Sequence, residues 1–95
     1  MSLTNNHTEL EEEIISLEDL IGTYNIVLYN DDVNTFDWVI DSLVELCDHS
    51  NEQAEQCALL VHYKGKCQVK SGSYHDLKPI CEALLDRGLS AKLED

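Results

Sequence analysis

The residues best suited to do chemistry are Asn30, Asp31, Asp32 and Asn34, a cluster of carboxylate and amide oxygens broken only by Val33. Asn and Asp favour turns, because their side chains bond nearby backbone groups and tolerate unusual dihedrals. An apolar, β-rich run precedes the cluster (Ile26, Val27, Leu28, Tyr29), with the composition of a strand buried on both faces. A helix follows at once, with Asn34 placed as its N-cap and Asp37 near the positive end of its dipole. Oxygens gathered where a strand meets the apolar first turn of a helix suit a small cation carried on an apolar side chain. His62 is the second chemical feature. It lies one residue after Val61 on the inward edge of a second helix, which would bring it beside Asn30 and Asp31 if the two helices share a core. Taken singly, such a histidine is better explained by a backbone carbonyl, and Asn30-Asp31-Asp32 by a plain turn.

The elements that must hold these groups follow from periodicity. A strand over about 24–29 leads into a helix from Thr35 to about Cys47, with Phe36, Val39, Ile40, Leu43, Val44 and Cys47 forming an amphipathic stripe. Asp48, His49 and Ser50 break it. Ser50 with Gln53 opens a second helix whose inward face is Ala54, Cys57, Ala58 and Val61, joined by Leu60, and Lys64-Gly65 closes it. Cys67-Gln68-Val69 is a short strand and Lys70-Ser71-Gly72 a turn. Ser73 with Asp76 starts a third helix carrying Leu77, Ile80, Cys81, Leu84 and Leu85 inward, with a kink or a separate first turn before Pro79. Arg87-Gly88 ends it, and Leu89 to Leu93 forms a last strand. The expected fold is α/β, a β-α-α-β-α-β sandwich with a three-stranded sheet packed against three helices in residues 23–95. Residues 1–22 hold six acids and no Lys or Arg, and are expected to be a flexible acidic extension.

Composition excludes several partners. The 95 residues carry 19 acids against 6 bases, a formal charge of −13. Such a surface repels nucleic acid and anionic membrane. The longest apolar runs are four or five residues, too short to span a bilayer. With no basic, apolar leader at the start, Cys47, Cys57, Cys67 and Cys81 are expected to be reduced and the protein cytoplasmic. No cofactor is called for. Asp31 or Asp32 with His62 is a conceivable acid–base pair, but no nucleophile elbow, phosphate loop or oxyanion-hole glycine accompanies it. Cys47-x-His49, Cys57 and His62 are the available metal ligands, and their spacing fits no standard zinc pattern. Neither an enzyme nor a metal protein is expected.

Taken jointly, Val27-Leu28-Tyr29-Asn30-Asp31-Asp32, then Phe36-Asp37-Trp38-Val39-Ile40, then Val61-His62-Tyr63-Lys64-Gly65-Lys66 resembles the ClpS adaptor family. Its members look like V-x-L-x-N-D-D, an apolar first helical turn ending in E/D-F-V, and V-H-x-x-G. The resemblance covers about residues 24–70 closely and the remainder in topology. It implies a recognition module for N-degrons, which binds a bulky hydrophobic first residue (Leu, Phe, Tyr or Trp) and delivers its bearer to a Clp AAA+ unfoldase, ClpA- or ClpC-like, and its peptidase. Carried over by position, Asn30, Asp31 and His62 hold the α-amino group, while Leu28, Asn34, Phe36, Val39, Ala58 and Val61 line the side-chain pocket. A domain monomeric on its own is expected. Phe36 stands where the family usually has a Met after Thr-Pro, and Ala58 where a second Met is common. The alternative implied by those changes is an acidic interaction domain of the same fold with altered or lost N-degron binding.

Overall fold

A computed structural model of the chain describes Ser16, Leu17 and residues 22–95. Nearly all of the acidic extension expected at the start lies outside the described residues. The element order is β1 (Tyr24–Tyr29), α1 (Phe36–Cys47), α2 (Asn51–Lys64), β2 (Lys66–Gly72), α3 (Tyr74–Asp86) and β3 (Ser90–Glu94). The sheet order is β2-β1-β3, antiparallel throughout, so β1 is the central strand. Its position explains its composition: Ile26, Val27 and Leu28 are all buried. The expected α/β architecture and element order are those observed.

Helix boundaries follow local chemistry with one exception. Ser50 Oγ accepts from the Gln53 N–H and Ser73 Oγ from the Asp76 N–H, both at 3.1 Å, as N-caps do. The cap of α1, however, is Thr35 and not Asn34: Thr35 Oγ1 accepts from the Trp38 N–H at 3.1 Å. Asn34 is diverted to a tertiary role described below. The C-terminus of α3 is a Schellman arrangement, with Leu89 N–H donating to the Leu84 carbonyl and Gly88 N–H to that of Leu85. Leu89 is thereby tucked into the core just ahead of β3, which begins at Ser90.

Three further expectations are corrected. Lys70-Ser71-Gly72 is not a turn but the second half of β2, pairing with Ile26, Asn25 and Tyr24 across a bulge at Val69. α3 is one continuous helix through exposed Pro79, with no separate first turn before it. Leu60 and Leu85 are 45% and 49% exposed and do not join the inward faces. Leu60 precedes buried Val61 and Leu85 follows buried Leu84, and consecutive helix residues point about 100° apart.

The helices cover one face of the sheet. Ile26 and Leu28 from β1, Leu43 from α1, Ala54, Cys57 and Val61 from α2, and Leu77 and Leu84 from α3 form one contiguous core. His49, in the α1–α2 connection, is buried within this structure. A carbonyl can only accept, so its Nε2–H donates to the Val69 carbonyl at 2.7 Å and ties the connection to the β2 bulge.

Candidate functional site

The loop after β1 is shaped by Asp31. Its Oδ1 accepts from the backbone N–H groups of Val33 and Asn34, both at 2.9 Å. Its Oδ2 accepts from Asn34 Nδ2 at 2.8 Å and from Ser90 Oγ at 3.1 Å. Partial burial pushes this carboxyl up, but the bonds from Asn34, Val33 and Ser90 outweigh it and hold the group below the usual carboxylate value. Asn34 Nδ2 also donates to the Gly88 carbonyl at 2.9 Å, so the side chain free to cap α1 is spent on α3. On the other side, the Asn30 N–H donates to the Gly65 carbonyl at 2.9 Å. That bond fixes Asn30 against the end of α2, one turn from His62.

Between these anchors lies a cavity of about 350 Å³, within the range of small-ligand sites. Asn30, Asp31, Asp32 and Asn34 form its polar rim with His62. Leu28, Phe36, Val39, Ala58 and Val61 supply apolar wall from β1, α1 and α2. Phe36 stands edge-to-face with the His62 ring, centroids 6.5 Å apart, and His62 in turn meets the Tyr63 ring at 4.8 Å. The expected site residues Leu28, Asn30, Asp31, Asn34, Phe36, Val39, Ala58, Val61 and His62 therefore all line one cavity. Tyr29, Asp32 and Leu89 line it as well. The sequence signal for Leu89 was its place directly after the glycine that ends α3, where an apolar residue folds back on the last turn.

Electrically the rim is anionic on one side, Asp31 and Asp32, and Asn30 and His62 bring an amide and an imidazole to the other. Among the described residues no three His, Cys, Asp or Glu side chains are grouped to hold a metal ion. Cys47 and Cys57, weighed as ligands, are buried in the core as free thiols. Burial pushes the Cys47 thiol up to about 11.

A family described as "ATP-dependent Clp protease adaptor protein ClpS" matches residues 22–92. The chain belongs to the ClpS family. Two proteins named ATP-dependent Clp protease adapter protein ClpS illustrate the range. The protein from Pectobacterium carotovorum subsp. carotovorum is 41% identical over 59 residues, 60% of this chain and 56% of its own length. That from Streptomyces coelicolor is 28% identical over 87 residues, 92% of this chain and 91% of its own. The chain thus spans little more than half of the first relative and nearly all of the second. Among solved structures, Agrobacterium tumefaciens ClpS2 bound to L-phenylalaninamide superposes with a TM-score of 0.73 at 19% identity, covering 76% of this chain and 94% of that one. The ClpS fold is therefore shared well beyond what sequence identity alone conveys. No helix among the described residues is long and apolar enough to cross a membrane.

Proposed function

We propose that the cavity binds the free N-terminal residue of a protein substrate and that the chain hands that substrate to a Clp AAA+ unfoldase. The observation that carries this reading is the union of the acceptor rim and the apolar wall in one cavity of about 350 Å³. A peptide's α-amino group has a pKa near 8, so at neutral pH it is mostly an ammonium with three donors. Asn30 Oδ1 and an imidazole nitrogen of His62 are its direct acceptors. Asp31 acts on it by charge and by holding the loop, since each of its oxygens already accepts two hydrogen bonds within the protein. Asp32 adds a second negative charge at the rim. The side chain of the first residue enters between Leu28, Val39, Ala58 and Val61, with Phe36 at the mouth. The ligand of the Agrobacterium protein, a lone phenylalanine with a free amine and an amidated carboxyl, has this same combination of ammonium and apolar group.

Hydrogen bonds to a charged group contribute roughly 1.5–3 kcal/mol each, and burying a Leu or Phe side chain about as much again. The test is a titration of labelled peptides that differ only at the first residue, with free and acetylated amines. A free N-terminal Leu, Phe, Tyr or Trp binds at least ~10-fold more tightly than Ala, and acetylation removes most binding. Equal affinity for free and acetylated leucine termini overturns the reading and leaves an interaction domain of the same fold. Delivery is tested separately, by degradation of an N-terminal leucine reporter with the unfoldase and peptidase in the presence and absence of the chain.

A further inference from the structure

Two of the cysteines meet behind the cavity wall. Cys67 on β2 pairs directly with Leu28 on β1. Partners in an antiparallel ladder project to the same face, and Leu28 faces the helices, so Cys67 does too. Cys67 is packed against the core cluster that contains Cys57, which lies on the inward face of α2 beside Ala58 and one turn before Val61. The two thiols are close enough that Cys67 helps to raise the Cys57 thiol, while the Cys67 sulfhydryl lies 3.4 Å from the Gln68 carbonyl. They differ in access. Cys67 is partly exposed and Cys57 is buried.

We propose that Cys57 and Cys67 are a redox-active pair, which a hydroperoxide converts reversibly into a disulfide that staples α2 to β2 behind the apolar wall of the cavity. Cys67, the accessible sulfur, reacts first: its thiolate takes the terminal oxygen of the peroxide, the O–O bond breaks, and the leaving hydroxide takes up a proton. The Cys57 sulfur then attacks the sulfur of the Cys67 sulfenic acid. The S–O bond breaks and the oxygen leaves as water with the Cys57 proton. In sum two thiols lose two electrons and two protons, and hydrogen peroxide becomes two waters. A dithiol reductant reverses the reaction by exchange. Burial and the adjacent Cys67 push the Cys57 thiol up to about 12, which keeps it inert until its neighbour becomes electrophilic. Cys47 on α1 and Cys81 on α3, both buried, are internal controls.

This inference is independent of what the cavity binds. The sequence makes it readable, because the chain has no Lys or Arg before Lys64, and cleavage after Lys64, Lys66 and Lys70 releases Cys67–Lys70 as its own fragment. Full-length protein is treated with hydrogen peroxide, alkylated without reductant, cut with trypsin and analysed by mass spectrometry. Two of the four thiols are expected to disappear, with fragment 67–70 joined to fragment 1–64, two hydrogens lighter than the sum of the two. Dithiothreitol restores all four. Cys57→Ser and Cys67→Ser each abolish the link, whereas Cys47→Ser leaves it, and circular dichroism checks that each variant is folded. In oxidised protein the amides of α2 exchange more slowly with deuterium. Persistence of four thiols, a link that survives Cys57→Ser, or Cys67 ending as a sulfinic acid or an intermolecular dimer while Cys57 stays reduced overturns the proposal.

Discussion

Replacing Asp31 by Asn removes one negative charge and exchanges one acceptor for a donor while keeping the shape. The new amide nitrogen has two places to go. In the first it meets Asn34 Nδ2, where two donors face each other in place of a 2.8 Å bond. In the second it meets the N–H groups of both Val33 and Asn34, and two 2.9 Å bonds are lost. Turning the Asn34 amide over does not rescue the first case, because its oxygen would then point at the Gly88 carbonyl, which Nδ2 now serves at 2.9 Å. One or two charge-assisted bonds at roughly 1.5–3 kcal/mol, reduced for partial exposure, make the expected loss about 2 kcal/mol at pH 7. For a domain of this size that is a fall in Tm of about 10 °C, measurable by denaturant or thermal unfolding. The pH dependence has a definite sign. Asp31 is held below its ordinary value of 3.8 in the folded state, so its contribution is full above that value and is lost as pH falls through and below it. The gap between wild type and Asp31→Asn therefore narrows as pH falls through about 4 and below. A variant as stable as wild type at pH 7, or a gap that stays constant down to pH 3, refutes this account of the loop.

The other expectations are simpler. Ser50→Ala and Ser73→Ala each remove a side-chain acceptor from a helix start and cost about 1 kcal/mol in chemical denaturation. Stability falls as pH rises above about 9, because Cys47 and Cys57 ionise near that value when unfolded but keep their protons to about 11 and about 12 when folded; Cys57→Ser flattens the alkaline limb. Ala58→Leu fills part of the cavity from the α2 side, so peptide titration shows weaker binding of N-terminal Phe and Trp than of Leu, with folding cooperativity unchanged.

Much of this was written locally. The Ile26–Tyr29 run, the α1 stripe, the two serine caps and the Lys64-Gly65 stop are short-range signals, and the structure follows each. What escaped was decided at long range. Asn34 and Thr35 are both good caps and adjacent; the choice between them rests on a Gly88 carbonyl 54 residues away. Lys70-Ser71-Gly72 has turn composition, yet β1 is six residues long and its first half needs a partner, which the Val69 bulge brings into register. Of Leu84 and Leu85 only the better-placed one reaches the core, so Leu84 is buried and Leu85 is not. The site was legible because its residues come in blocks, but that His62 shares a cavity with Asn30 is a property of topology: the turn after α2 docks on the end of β1.

The loop that carries Asn30 and Asp31 is held from two directions by similar devices. α2 and α3 each end near a glycine with positive φ, Gly65 at 95° and Gly88 at 86°. A built Cβ would meet nothing within 4 Å at either position, so it is backbone conformation and not space that demands glycine there. The left-handed residue turns each helix end so that a carbonyl points outward, and the loop takes both: Asn30 N–H binds that of Gly65, and Asn34 Nδ2 that of Gly88. Ser90, two residues beyond Gly88, adds the bond to Asp31. The polar rim is thus fixed by two helix ends and a strand, so the binding proposed above would carry little ordering cost. The same bonds make the loop a contributor to folding stability. Substitutions at Asp31 or Asn34 are therefore expected to lower stability whatever their effect on the proposed recognition, whereas side-chain changes at Asn30 and His62, which line the cavity, leave the Asn30 backbone bond in place and are expected to cost the fold little.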